Sequence, residues 1–192
     1  MLIGSNNTLT YLEPSSWWFK VFRWLGRHQE IPYDVQYTFY GVRMYDLRLY
    51  FDENRRIVAR NGSYIYPLKR FYEMLDFFDK QGDVTVLITL NTTLVDENID
   101  KKFANVCNIL NSIYKNIWLC GGYRKFDKEV LYEFDWERKN KLPKLICPAE
   151  WSVSYRFVRK WCPFLIKRFN KMYIERYKDI QGFLMLDYVN RR

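Results

Sequence analysis

The chain has 192 residues, enough for one domain with a sizeable core, and its 48% hydrophobic and 19% aromatic content excludes a disordered polymer. It contains no run of about 18 apolar residues, so no transmembrane helix is expected. Thirty-one basic against 22 acidic residues leave a net charge of +9, which points to an anionic partner: a membrane surface, a nucleic acid or a phosphorylated small molecule.

The start, Met1-Leu2-Ile3-Gly4-Ser5, has neither a basic n-region nor an apolar h-region. It reads as structure from the first residues, and a cytoplasmic location, peripheral to a membrane at most, is expected. The four cysteines, Cys107, Cys120, Cys147 and Cys162, form no CxxC pair, and His28 is the only histidine. A zinc site is therefore not expected, no cofactor is called for, with calcium left open, and the thiols read as buried and free.

Leu2-Ile3-Gly4 reads as a short first strand running into Ser5-Asn6-Asn7-Thr8. Pro14-Ser15-Ser16 opens a helix with a serine N-cap. Trp17, Trp18, Val21, Phe22 and Leu25 lie near one face of it, and Lys20, Arg23 and Arg27 line another. Two readings stand: a surface helix packed on the core, or an interfacial helix presenting tryptophans and cations to lipid. His28 follows, beside Gln29 and Glu30, and reads as a surface or capping residue.

Val42 to Leu49 has no Gly or Pro and several β-formers, so it reads as a strand. Alternation puts Arg43, Tyr45, Leu47 and Leu49 on one face and Val42, Met44, Asp46 and Arg48 on the other. Asp46 and Arg48 side by side on a mostly apolar strand are costly unless they meet each other, water or a ligand. They read either as a structural ion pair at a strand end or as a site at the C-terminal end of a barrel strand.

Arg56 to Arg60 reads as a third strand ending in Asn61-Gly62. Pro67 begins a helix with Leu68, Phe71, Tyr72, Leu75 and Phe78 as one stripe, closed by Gly82-Asp83. Val84–Leu90 is almost all apolar, the pattern of a strand covered on both faces. A helix from Asp96 carries Ile99, Phe103, Val106, Leu110 and Ile113, and the strand Asn116–Cys120 ends at Gly121-Gly122. Residues 123–160, broken by Pro143 and Pro148, read as short strands, turns and long loops. Trp161, Phe164, Leu165, Phe169, Met172 and Tyr173 form a helical stripe, and Gly182–Tyr188 a last buried strand with Asp187 at its C-terminal end.

Strands alternating with helices predict an α/β fold with a parallel sheet and helices outside. With no GxGxxG or P-loop pattern, a short or degenerate TIM-barrel-like β/α barrel, one domain over 1–192, fits better than a nucleotide-binding doubly wound sheet.

Several stretches, in order, resemble phosphatidylinositol-specific phospholipase C. Ile3-Gly4-Ser5-Asn6-Asn7-Thr8-Leu9-Thr10-Tyr11 is similar to that family's opening motif, Pro-Gly-Thr-His-Asp/Asn-Ser-x-Thr. Gln36, then Gly41 to Arg48, resembles its second-strand motif, and Ile57 to Gly62 its strand ending in His-Gly. The helix after Pro67 and the strand Val84–Leu90 continue the order, and Gly182 to Asn190 resembles the last strand. The resemblance covers 1–93 and 181–190.

It implies a phospholipase C-like phosphodiesterase acting on an inositol phospholipid or related phosphodiester. In that family one histidine takes the proton of the attacking inositol hydroxyl and another protonates the leaving oxygen. An arginine or calcium neutralises the phosphate, and aspartates orient the histidines. By position Arg48 matches the arginine, Asp46 the aspartate beside it, and Asp187 the partner of the first histidine. Asn6 and Asn61 stand at the two histidine positions, and Asn91 near the place of the substrate-binding lysine.

An amide has no proton to exchange near neutral pH, so impaired or lost activity is expected, with His28 the one imidazole to be brought in from the helix end. Asparagine still donates hydrogen bonds to phosphate. The alternative is a pseudoenzyme, a non-catalytic binder of phosphodiesters, anions or membranes. Binding of nucleic acid rests on charge and aromatics alone and is the weaker alternative.

Overall fold

The computed structural model describes residues 1–6, 8–14, 16–21, 27–52, 56–61, 64–90, 97–123, 145–148, 152–179 and 181–191. β1 (Leu2–Ser5) leads into a 3-10 turn at Thr8–Tyr11 and a short helix α1 (Trp17–Val21). Helix α2 (Tyr33–Tyr40) buries only Gln36 and has no side-chain N-cap bond, so no apolar stripe marks it in the sequence. It stops at Gly41, whose left-handed φ of 56° glycine adopts without a Cβ clash.

β2 (Val42–Phe51) is the strand on which the sheet is built. Its start pairs in parallel with β1, and Met44 to Leu49 pair in parallel with β5 (Thr85–Leu90). Its end pairs antiparallel with β3 (Ile57–Asn61), which pairs antiparallel with β4 (Tyr64–Tyr66). After β4 come α3 (Leu68–Gln81), β5, α4 (Glu97–Ile113) and β6 (Trp118–Tyr123). After β6 lie β7 (Leu145–Ile146), α5 (Val153–Trp161), a 3-10 turn at Pro163–Leu165, α6 (Ile166–Tyr177) and β8 (Phe183–Leu186). The parallel strands stand side by side in the order β6, β5, β2, β1, β8, β7.

The two faces of this sheet are packed differently. Tyr45, Leu47 and Leu49 of β2 join the large core, with Phe71, Met74, Leu75 and Phe78 of α3 and Phe103, Cys107 and Leu110 of α4. Met44, Leu87, Cys147, Phe183 and Met185 form a separate small cluster. Along β2 and β8 the residues two and four beyond this cluster are Asp46, Arg48 and Asp187. Strand alternation thus carries those charges onto the face of the small cluster, toward the strands' C-terminal ends.

Several expectations need correction. The sheet is mixed, because β3 turns back on β2. Five residues separate Phe51 from Ile57, too few for the crossover of a dozen or more that a parallel connection requires. In α3, Tyr72 is exposed and Met74 takes its place in the core; in α4, Ile113 is exposed. β6 runs through Gly121 and Gly122, which pair with Ile88 and Thr89. The stripe from Trp161 to Tyr173 is not one helix, because Pro163 lacks the N–H that would continue α5. Trp161, Phe164, Leu165 and Met172 are exposed; the buried positions are Tyr155, Val158, Ile166, Asn170 and Tyr173. Helix α5 starts inside the stretch expected to be irregular. Cys107 and Cys147 are buried and free, whereas Cys162 is half-buried. No helix of the described residues is long and apolar enough to cross a membrane.

Candidate active site

Asn6, just past β1, joins the two halves of the site. Its amide nitrogen donates to Asp187 Oδ1 at 2.9 Å, and its Oδ1 accepts from Arg48 Nη2 at 3.1 Å. Arg48 Nε donates to Asp46 Oδ2 at 3.1 Å, and Thr89 of β5 reaches the other Asp46 oxygen at 3.5 Å. Asn6, Asp46, Arg48 and Asp187, four residues singled out in the sequence, are therefore connected by hydrogen bonds across three adjacent parallel strands.

Asn61 ends β3, and its side chain lies outside the described residues. β3 is antiparallel to β2, and Asn61 is its last residue. Its neighbour Arg60 lines a small recess together with Asp46 and Arg48. Asn91 and Arg23 lie outside the described residues. Trp17 and Trp18 stack on each other at 4.1 Å between ring centroids and are 61% and 62% exposed, so the core-packed reading of their helix does not hold for them. Lys20 pairs with Glu13 at 3.4 Å.

His28 is where the surface or capping reading fails. It is not on the surface: it is 5% exposed, and its Nδ1 lies 2.8 Å from the Asp187 oxygen that also accepts from Asn6. The segment carrying it is fastened at several points. Thr10 Oγ1 accepts from the backbone N–H of both His28 and Gln29, at 2.9 and 3.0 Å. Gln29 Nε2 donates to the carbonyls of Asn6 and Leu186, and Gln29 Oε1 accepts from the N–H of Val189. One side chain so ties the ends of β1 and β8 to the histidine segment. The available signal was arithmetic: a site resembling a two-histidine site, in a chain with one histidine, leaves His28 alone to supply an imidazole.

Asp187 is clamped through its backbone as well. Tyr155 on α5 accepts its N–H at 3.0 Å and donates to Asn170 Oδ1 at 3.0 Å, while Asn170 Nδ2 donates to its carbonyl at 3.0 Å. Tyr188, next in the chain, has φ 49°, a left-handed conformation that costs a non-glycine residue roughly 1–2 kcal/mol. Bonds from Tyr188 N–H to His28 O and from Tyr188 Oη to Arg27 O hold it there.

Electrostatics separate the partners. Burial pushes the His28 imidazole down to about 4; Arg159 reinforces this and Asp187 opposes it. Burial alone would raise Asp187, but His28, Arg159 and the Asn6 hydrogen bond outweigh it and hold the carboxyl below its ordinary value. At neutral pH Asp187 is thus ionised and His28 neutral, with the proton on Nδ1 facing Asp187. Arg159 Nη1, on α5, lies 2.8 Å from both ring nitrogens and 3.7 Å from Asp187 Oδ2. The arrangement can grip an anion through Arg48 and the Asn6 amide, and it holds one neutral imidazole against a carboxylate. Among the described residues no three His, Cys, Asp or Glu side chains cluster to hold a metal ion.

No family model and no curated protein sequence matches the chain. Solved structures do. It is similar to phosphatidylinositol-specific phospholipase C from Listeria monocytogenes, with a TM-score of 0.59 and 12% identity over 100% of this chain and 92% of that one. It is also similar to a double mutant of phosphatidylinositol-specific phospholipase C from S. aureus, with a TM-score of 0.59 and 11% identity over 97% of this chain and 84% of that one. At such identity the likeness concerns the fold: this chain has a mixed α/β fold resembling that of bacterial phosphatidylinositol-specific phospholipase C.

Proposed function

We propose that the chain is a phospholipase C-like protein, one domain over residues 1–192 with its parallel strands closing into a degenerate barrel, that binds the phosphodiester of an inositol phospholipid and turns it over slowly or not at all. The observation that carries this reading is the position of Asn6. Its amide bridges Asp187 and Arg48, where the family motif places a histidine. Arg48, whose side chain is only 11% exposed, faces the phosphate; in a poorly solvated site its charge is worth far more than at the surface. Asn6 donates to phosphate oxygen but transfers no proton. Losing one general acid or base typically removes about 10²–10⁴ in rate, and paired losses need not add.

Binding of inositol 1-phosphate and cleavage of phosphatidylinositol, each with and without Ca²⁺, test the reading together. Wild type should bind and show little turnover; Arg48→Leu should lose binding by tenfold or more, as expected for a charge-assisted bond worth about 1.5–3 kcal/mol. Brisk turnover that survives Arg48→Leu would place the chemistry elsewhere. Asn6→His with Asn61→His should raise phosphodiesterase activity above either single change, because each proton transfer needs its own group. If the double variant folds and binds but stays inactive, the pocket has diverged beyond those positions, with Asn91 the first suspect.

A peripheral membrane contact accompanies this reading. Trp17, Trp18 and Val21 project from α1 with Lys20 beside them, an apolar patch with a cation of the kind that lies at a lipid interface. Sedimentation with anionic vesicles at low salt should retain the wild type and release it as salt rises. No sedimentation at low salt would remove the membrane from the proposal.

A further inference from the structure

We propose that Arg159 is a second anion-binding residue of the pocket, turning its guanidinium from the His28 imidazole onto the ligand, and that it makes the pocket prefer a doubly charged phosphate monoester over a singly charged diester. The inference rests on the phosphate-binding reading of Arg48 and names the ligand class for that site.

The two arginines are held differently. Arg48 is neutralised on its own strand by Asp46 at 3.1 Å. Arg159 has no carboxylate within hydrogen-bond distance among the described residues: its nearest, Asp187 Oδ2, is 3.7 Å away. That oxygen is fully buried and, among the described residues, accepts no hydrogen bond. The close contact of Arg159 is His28, and it is a poor one. With its Nδ1–H given to Asp187, the imidazole keeps one lone pair, on Nε2, directed outward in the ring plane. An Nη1 atom 2.8 Å from both ring nitrogens lies well off that direction. A guanidinium carries five donors, and this one, with a side chain 17% exposed, has surrendered most of its water for, among the described residues, one misaligned acceptor.

A phosphate repairs that deficit. A monoester has three terminal oxygens and nearly two charges above its second pKa of about 6; a diester has two such oxygens and one charge. A site flanked by two guanidiniums matches the first better, since charge-assisted forks gain with each oxygen and each unit of charge. The Asp187–Asn6–Arg48 chain of hydrogen bonds connects the Arg159 side of the pocket to the Arg48 side.

Calorimetric titration of the full chain with inositol 1-phosphate and with glycerophosphoinositol tests this. At pH 7.5 wild type should bind the monoester about tenfold or more tightly than the diester. At pH 5.5, below that pKa, most of the monoester carries a single charge and the gap should narrow. Arg159→Leu should bring the two ligands within about twofold of each other at pH 7.5 by weakening the monoester far more than the diester, and Arg159→Lys, retaining charge without the fork, should fall between. Arg48→Leu should weaken both ligands. A wild type that binds the two equally, or an Arg159→Leu variant that keeps the preference, overturns the role of Arg159 and leaves that of Arg48 standing; failure of the wild type to bind either overturns both. One readout needs no variant. His28 is the only histidine, so its imidazole resonances are unambiguous. Inositol 1-phosphate should raise its titration midpoint as Arg159 leaves and an anion arrives, and glycerophosphoinositol should do so less. An unmoved midpoint on saturation with the monoester counts against the proposal.

Discussion

Two charged clusters are linked through Asn6 and are assembled in opposite ways. Asp46 and Arg48 stand two residues apart on β2, so the strand itself holds them together at 3.1 Å. Asp187 instead gathers Asn6 from the end of β1, His28 from an irregular segment, Arg159 from α5, and, on its backbone, Tyr155 and Asn170 from two helices. The first cluster depends on local alternation and survives small errors of packing. The second exists only when distant parts of the chain are docked, so its groups report on the whole tertiary structure. Its members also lose the most water, and desolvation makes each missing partner expensive.

The sharpest way to break this contrast is to remove the two aspartates. Asp187→Ala strips the acceptor from His28 and Asn6 at a fully buried position and should destabilise the protein by about 3–5 kcal/mol in urea unfolding. Asp46→Ala should cost less, about 1–3 kcal/mol, because Arg48 keeps its bond to Asn6. Equal losses would mean that both clusters carry the same share of the tertiary structure.

Acid should dissect the second cluster next. His28 titrates at about 4 in the folded chain, below the roughly 6.5 of an unfolded histidine, so the unfolded state takes up the proton first as pH falls. Its contribution is present above about pH 6.5 and is lost between there and about pH 4, an effect on the order of 3 kcal/mol. Asp187, held below its ordinary value, adds a loss of the same sign at still lower pH. His28→Asn should flatten the stability profile between pH 6.5 and 4. An unchanged slope would detach His28 from the cluster.

A smaller effect is expected one layer out. Tyr155→Phe leaves the N–H of Asp187 and the Oδ1 of Asn170 without their partner, a loss of about 1–3 kcal/mol by thermal or urea unfolding. The smallest concerns the surface. Trp17→Ala with Trp18→Ala should change stability by no more than about 0.5 kcal/mol, since both rings are exposed, while sharply reducing sedimentation with anionic vesicles. Preserved sedimentation would move the lipid contact to another face, of which the exposed Val153, Phe157 and Trp161 on α5, beside Arg156 and Lys160, is the alternative.

By itself the sequence determined what alternation and apolar period express: β2 with Asp46 and Arg48 on one face, the buried run of β5, helix α3 ended by Gly82, and Asp187 at the end of β8. Those signals are local, since a strand or helix fixes which neighbours share a face within a few residues. The motif order around Asn6 and Arg48 pointed to the phospholipase C fold for the same reason. Only the tertiary structure decided that β3 turns back on β2, that Trp17 and Trp18 stand in solvent, and that His28 and Arg159 meet at Asp187. Residues 28, 159 and 187 share no period and no motif. They meet because Thr10, Gln29, Tyr155 and Asn170 satisfy buried backbone groups there, and such long-range satisfaction leaves no regular trace along the chain.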